Sequence, residues 1–474
     1  MSVTQFRSLG FAARLLMVAS TALAFHPALL NAEDDAGAKP ARKTSVLGGL
    51  VRTLFGKADP DETAAEPAVI IQAVDTEPAI DDSLATHKQA AVIKISGKGN
   101  EQQLRTFCVN NAGTIYAVVG PDRPYSNVKS SDRHNGSEIR VLDSTGKEVE
   151  KWSLEFAAQS IAVSPNGTVV VAGNGRIAKF DATGKLLLQA DAPHLVNILK
   201  KPESLREEAE GNLEDSKEQY ETQLKQAEES ISPMRKELEE LEKKDETDRT
   251  PAETRRIRNV KASIKSSESV NQANLQYYKQ QTERSVDDIV RDLTTRLKII
   301  NALAVTDQDV FIASGITRGY GYAVWRTNFD FEGGKQIVTG LSGCCGQMDI
   351  RCCDDGVYVA ENSRKRVLRF DRDGKKLAQW GEGDRNGSTG AKFGGCCNPM
   401  NLCFGSGGEL LTAESEGYIK RFTKEGSFLG IVGQAKVSGG CKNVAIGTSP
   451  DGDKVYFYDR QNSTIVILDK KSGI

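Results

Sequence analysis

Ile350–Asn362 reads IRCCDDGVYVAEN: a short apolar strand, a Gly turn, then a second apolar strand. The same grammar returns at 107–119 (FCVNNAGTIYAVV), 161–173 (IAVSPNGTVVVAG), 303–315 (LAVTDQDVFIASG), 402–414 (LCFGSGGELLTAE) and 444–459 (VAIGTSPDGDKVYFYD). A third strand and turn follow most units, as in IRVLDSTGK (139–147), IAKFDATGK (177–185), VLRFDRDGK (367–375), IKRFTKEGS (419–427) and IVILDKKSG (465–473). Units of three short strands spaced by roughly 40 to 55 residues, with one helical stretch set aside, predict the blades of an all-β propeller. Units one, four and five run on into a fourth strand, whereas unit six stops short of one. A spare strand, AAVIKISGKG (90–99), precedes unit one. Pairing residues 91–96 with unit six closes the ring and hides an exposed sheet edge. The expected fold is a six-bladed β-propeller closed by its N-terminal strand, with blades one and two in 90–200 and blades three to six in 299–474.

Residues 201–298 interrupt that pattern. Tyr220, Leu224, Ala227, Ile231, Met234, Leu238 and Leu241 recur at spacings of four and three among charged residues, a heptad seam. KDETDRTPAE supplies a turn, with Pro251 suited to a first helical turn. A second helix then carries Ile257, Val260 and Ile264, and later Val286, Ile289, Leu293 and Leu297. An antiparallel coiled-coil α-helical hairpin is expected, each arm about 60 Å long at 1.5 Å per residue. Ser232-Pro233 is expected to kink or split the first arm. As an insertion between blades, residues 203–297 are expected to be removable without unfolding the β domain.

Residues 369–422, RFDRDGKKLAQWGEGDRNGSTGAKFGGCCNPMNLCFGSGGELLTAESEGYIKRF, add a further signal. Trp380-Gly381 follows a fourth strand; a Gly-rich stretch, Phe393 and Pro399 come next. An apolar strand, a Gly turn, Leu411-Thr412-Ala413-Glu414 and Ile419-Lys420-Arg421-Phe422 complete the order. This resembles the NHL repeat, strongly in units four and five and least in unit three. Unit four departs by placing Gly346-Gln347 where unit five has Pro399. The resemblance implies a propeller of a class that mostly serves as a binding platform. Some related six-bladed propellers are lyases and lactonases that hold metals in the channel.

The chain has 474 residues, 62 basic and 64 acidic side chains, so its near-neutral charge offers no electrostatic argument for nucleic acid. Arg7 and Arg14, the apolar run from Leu15 and the small residues up to Ala32 read as a signal peptide over 1–32. A secreted or periplasmic location follows as an expectation. Residues 33–89 are rich in Ala, Asp, Glu and Pro and read as a tether. Within it, the apolar residues of 44–57 fall at helical spacing, the one segment suited to membrane contact.

Nine cysteines in an oxidising compartment raise the question of pairing. Cys344, Cys345, Cys396, Cys397 and Cys441 precede inner strands and share one propeller face with the hairpin and the polar loop of unit one. Disulfides between or within the doublets, thiolate-bound metal and a redox dithiol are the competing readings. No cofactor is firmly implied beyond that metal, and with only His87, His134 and His194 outside the signal region, a His-rich metal channel is missing. Cys108 and Cys403 sit mid-strand and read as small core residues. Ser160, Asp349, Asn401 and Asn443 occupy one matching inner-strand position, suited to lining a ligand site or to bonding the neighbouring backbone. No nucleophile elbow, phosphate loop or dinucleotide fingerprint is present. The favoured reading is a non-catalytic module that binds a protein, peptide or glycan on the cysteine and hairpin face. The alternative is a metal- or thiol-dependent enzyme of lyase or lactonase type.

Overall fold

The computed structural model describes residues 69–73, 84–95, 103–120, 136–344, 346–384, 390–437 and 444–473. The expected signal peptide 1–32, the segment 44–57, most of the unit-one loop and residues Cys345, Cys441 and Asn443 lie outside them. All described residues fall in one unit, 66–474.

The chain enters through β1 (Val69–Ala73) and β2 (His87–Ile95). Five four-stranded antiparallel sheets follow. The first holds β3 (Gln103–Val109), β4 (Ile115–Gly120), β5 (Glu138–Leu142) and β6 (Glu148–Ser153). The second holds β7 (Ser160–Val163), β8 (Val169–Gly173), β9 (Arg176–Phe180) and β10 (Leu186–Asp191). Then come β11 (Ile300–Val305), β12 (Asp309–Gly315), β13 (Tyr322–Asn328) and β14 (Lys335–Leu341). The fourth sheet is β15 (Asp349–Cys353), β16 (Gly356–Glu361), β17 (Arg366–Phe370) and β18 (Lys376–Trp380). The fifth is β19 (Asn401–Phe404), β20 (Leu410–Ala413), β21 (Tyr418–Phe422) and β22 (Phe428–Gln434). Finally β23 (Ile446–Thr448), β24 (Lys454–Asp459) and β25 (Thr464–Lys470) join β2 and β1 in a sixth sheet ordered β1-β2-β25-β24-β23. The first strands neighbour one another in a ring, β3–β7–β11–β15–β19–β23 and back to β3. That is a β-propeller.

Composition explains the radial order. The second strands β4, β8, β12, β16 and β20 are buried along their whole length, because each is covered on both faces by adjoining sheets. The fourth strands β6 and β18 are mostly exposed and carry the charges. The turns into those outer strands share one device. Asp143 Oδ1 accepts from the Thr145 and Lys147 amides at 2.9 and 3.0 Å, and Asp181 and Asp371 repeat this in the next sheets. The glycine of such a turn lies on the fourth strand of the preceding sheet. A Cβ on Gly184 would come within 2.5 Å of the Trp152 ring carbons, and both Gly184 and Gly146 adopt positive φ. Gly146 makes the same approach to Ile93 on β2, at 2.6 Å. In this contact β2 stands to the first sheet as β6 stands to the second.

Three differences from the sequence reading have physical causes. Fourth strands also exist in the second and third sheets, β10 and β14. Their exposed, weakly alternating sequences, LLLQAD and KQIVTGL, hide the period. The tether assignment 33–89 runs too far: β1 pairs with β2 from Val69↔Ile95 to Ala73↔Ala91, favoured by the β-branched run Val69-Ile70-Ile71. β2 itself starts at His87, whose Nε2 lies 2.9 Å from the Gly452 carbonyl.

The helical arm consists of α1 (Pro193–Leu199), α2 (Pro202–Glu242), α3 (Pro251–Thr282) and α4 (Val286–Leu297). Of the kink or split expected at Pro233, the split does not occur; α2 is one 41-residue helix with Pro233 inside it. A proline forfeits one backbone hydrogen bond, and here the flanking Ile231 and Met234 pack on Val260 and Ile264 of α3. The second arm, expected as one helix, breaks at 283–285. Ser285 caps α4, its hydroxyl accepting from the Asp288 amide at 3.1 Å. Thr250 and Glu253 form a capping box at the start of α3. Among the described residues no helix is long and apolar enough to cross a membrane.

The arm is not a detachable insertion. Leu205 and Ala209 of α2 and Ile289, Leu293 and Leu297 of α4 belong to the same core cluster as Val170 and Ile177 of the second sheet and Ile300, Leu303 and Ile312 of the third. His194 of α1 is fully buried there, its Nε2 2.8 Å from the Leu297 carbonyl. The expectation that 203–297 can be removed harmlessly is therefore corrected: removal would uncover this cluster.

Candidate functional site

On the face that carries the entries to the inner strands, the described loops of the fourth and fifth sheets are the most heavily bonded. The loop 342–348 is held from below by the acid that ends β16. Glu361, fully buried, accepts from the Ser342 amide at 2.9 Å and from Arg366 Nε. In the fifth sheet Glu414 repeats the role. It accepts from the Gly394 amide at 2.9 Å and pairs with Lys420 at 2.7 Å, both side chains fully buried. A buried pair of this kind is worth little net stability but is costly to break on one side. In the fourth sheet the next residue completes the anchoring. Asn362 Oδ1 accepts from the Cys344 amide at 2.8 Å, while its Nδ2 donates to the Gln347 carbonyl at 3.1 Å.

Gln347, the departure from proline in unit four, bridges three sheets. Its amide nitrogen donates to the carbonyls of Met400 (3.0 Å) and Val444 (2.8 Å), and its Oε1 accepts from the Val444 amide at 3.0 Å. A proline could make none of these bonds.

The structure brings Asp349 and Asn401 together around Arg351. Arg351 Nη1 lies 3.1 Å from Asp349 Oδ1, and its Nη2 donates to Asn401 Oδ1 at 3.4 Å. The guanidinium pulls back the thiol pKa of Cys108 on β3 and of Cys403 on β19, each of which burial raises to about 12. Burial pushes the Asp349 carboxyl up to about 6, against the pull of Arg351. Asp349 Oδ2 accepts from the Leu402 amide at 2.8 Å and Asn401 Oδ1 from the Ile446 amide at 3.0 Å. In the fourth and fifth sheets the matching inner-strand position thus clips its strand to the next inner strand. Ser160 is buried at the start of β7, but there the neighbouring Gln159 makes the clip, accepting from the Ile300 amide at 2.9 Å. Asn443 lies outside the described residues.

The cysteines divide by geometry. Cys352 and Cys353 are consecutive on β15 and point to opposite faces, into the cores either side of the fourth sheet. Cys353 donates to Asp355 at 2.8 Å; burial, then this bond, raises its pKa to about 11. Cys344 borders the cluster that contains Cys397, Met400 and Cys403. Cys396 is exposed and Cys397 buried, with their sulfurs 2.9 Å apart in thiol contact. Among the described residues no three His, Cys, Asp or Glu side chains group where a metal ion could be held. Cys345 and Cys441 lie outside them.

The arm meets the same face. The loop 316–321 between β12 and β13 is clasped: Asn212 of α2 donates to the Thr317 carbonyl at 2.9 Å and accepts from the Gly319 amide at 2.8 Å. Arg318 pairs with Asp215 at 3.0 Å, and Arg296 of α4 donates to the Gly319 carbonyl at 3.0 Å. Beside the clasp Tyr320, 91% exposed, neighbours Tyr277, 53% exposed, and Val270 is exposed two turns earlier on α3. The neighbouring phenol of Tyr320 pushes the Tyr277 pKa up, ahead of the effect of burial.

The sequence reading missed Glu361, Glu414, Asn362 and Arg351, and marked Gln347 only as a departure from the repeat. The repeated Ala-Glu-Asn and Ala-Glu-Ser after the second strand was the available signal, since a carboxylate recurring at a strand end marks a structural bond to find.

No family model matches the chain, and no curated protein matches it. Among solved structures it is similar to a gluconolactonase of Xanthomonas campestris, at 12% identity over 86% of this chain and 99% of that one, TM-score 0.41. The WD40 propeller domain of Doa1 aligns at 9% identity over 82% and 98%, TM-score 0.37. The WD40 domain of Neurospora crassa Pan2 aligns at 7% over 79% and 90%, TM-score 0.35. The propeller assignment rests on the strand pairing above, and no activity is carried over from these proteins.

Proposed function

We propose that this chain is an exported, NHL-type six-bladed propeller that binds a protein partner through the arm and the adjoining cysteine face. Each of the six sheets counts as one blade, β2 closes the sixth, and α2 with α3 forms a coiled-coil hairpin. The observation that carries the reading is the arm itself. Its root is part of the ring core and its flank is clasped to loop 316–321, yet Leu224, Val270 and Tyr277 on it, and Tyr320 on the clasped loop, remain exposed. Exposed aromatic and aliphatic side chains on a fixed support suit protein recognition. Asp349 and Asn401 are engaged in strand-to-strand clips, which supports a binding module over a channel enzyme.

Photo-crosslinking tests this. A benzophenone amino acid is placed at Leu224 or Tyr277, and at Leu377 on an outer strand as control, in the full chain within its native compartment. Adducts to one protein from the arm positions and not from Leu377 are expected. Equal labelling at all three positions, or a stoichiometric metal with turnover that needs the face cysteines, would overturn the reading. Export is tested by N-terminal sequencing, which should begin at Glu33.

A further inference from the structure

The Cys396-Cys397 doublet is held unlike any other described cysteine. The loop around it is tied into a hoop: Asn398 Nδ2 donates to the Gly394 carbonyl at 2.9 Å and to Glu416 Oε2 at 2.7 Å. Asn398 Oδ1 accepts from the Ser415 amide at 2.9 Å, and Gly394 is bonded in turn to buried Glu414. Gly395 adopts φ +59, and a Cβ there would lie 2.4 Å from Glu416 Oε1, so the hoop closes tightly on the acid. Inside this frame both thiols project to the same side, 2.9 Å apart, with Cys396 in solvent and Cys397 in the core. The Cys352-Cys353 doublet, on a regular strand, has its side chains on opposite faces.

We propose that Cys396 and Cys397 form a thiol–disulfide exchange site whose substrate is an exposed organic disulfide, small or on a protein. Cys396, as thiolate, attacks one sulfur of the substrate R–S–S–R′, forming a mixed disulfide and expelling R′–S⁻, which takes up the proton that Cys396 gave to solvent. Cys397 then loses its proton and attacks the Cys396 sulfur, expelling R–S⁻, which is protonated. The balance is one dithiol plus one disulfide giving one vicinal disulfide and two thiols. Bonding brings the sulfurs from thiol contact to about 2.05 Å, a movement of under about 1 Å that the hoop accommodates in place. Adjacent residues have Cα atoms only about 3.8 Å apart, closer than in ordinary disulfides, so the product bond is reducible and the site reversible. The inference stands apart from the arm-binding reading.

The test treats the reduced full chain with oxidised glutathione, blocks remaining thiols, and maps peptides without reduction. In the wild-type chain, Cys396 and Cys397 should together lose alkylation by forming a bond within their own peptide, and dithiothreitol should restore it. Cys397→Ala should trap a glutathione adduct at Cys396, at least about tenfold above the adduct at Cys397 in Cys396→Ala. Cys397→Ser provides a second trap if the alanine variant folds poorly, and Cys353→Ser should behave as wild type. The proposal is overturned if both thiols stay alkylatable in the folded wild-type chain. It is equally overturned if the oxidised peptide is linked to a different one, or if neither Cys397 variant traps an adduct.

Discussion

The root and the tip of the arm share α2, which packs with α4 at the root and with α3 at the tip, and they obey different physics. At the root, Leu205, Ala209, Ile289, Leu293 and Leu297 are buried with strands of two sheets. At the tip, Ile231, Ile257, Val260 and Ile264 are buried, flanked by half-covered Met234, Leu238 and Leu241. Between them Leu224 is 38% exposed although it falls on the heptad seam. Amphipathic spacing alone therefore does not say how much a helix contributes; what it packs against does. The root shares the stability of the ring, and the tip stands on the root. The arm is accordingly a lever fixed at one end.

The sharpest way to break this contrast is to cut at two places. Replacing 203–297 by a short linker should abolish cooperative folding. It uncovers a cluster whose five helical side chains contribute together about 10 kcal/mol, comparable with the whole stability of a domain. Replacing only 216–281 should leave a cooperative transition close to that of the full chain, by denaturant melts. Point changes sharpen it: Leu293→Ala should cost about 2–5 kcal/mol and Leu241→Ala no more than about 1 kcal/mol.

Acid should act at the root as well. Burial depresses the His194 pKa from 6.5 to about 4, so His194 is neutral at pH 7 and the unfolded chain protonates first. Its contribution is present above pH 6.5 and lost as pH falls toward 4, about 2 kcal/mol between pH 7 and pH 5. Asp349, raised to about 6, works in the other direction, gaining stability as pH falls through 6. The readout is therefore the difference between wild type and His194→Gln, and the variant should lose less stability on acidification by that amount. The smallest effect lies at the clasp. Asp215→Asn removes an exposed ion pair with Arg318 and should change stability by less than about 1 kcal/mol, while loosening the arm.

How much of this was legible follows from where each signal resides. Strand–turn–strand units and Asp-Gly turns are local, and they pointed to the propeller directly. The start of α4 was also local, in Ser285 with Asp288 three residues on, but the apolar spacing masked it. The burial of Leu293 and Leu297 was not local, because it depends on two sheets being placed either side of them. The shared position of Asp349 and Asn401 was visible in the repeat, whereas the amides they engage on the next strand were not. Gln347 stood out as a departure from pattern, and its three bonds to neighbouring sheets give that departure its reason.

The lever is tested most directly by spin labels at position 225 on the arm and 375 on a turn of the fourth sheet, with the distance distribution measured by electron–electron double resonance. A fixed root and an intact clasp predict one narrow distribution in the full chain, broadened by Asp215→Asn combined with Asn212→Ala. A distribution already broad in the unaltered chain would contradict the account, because a hinged arm cannot be a lever set by the ring.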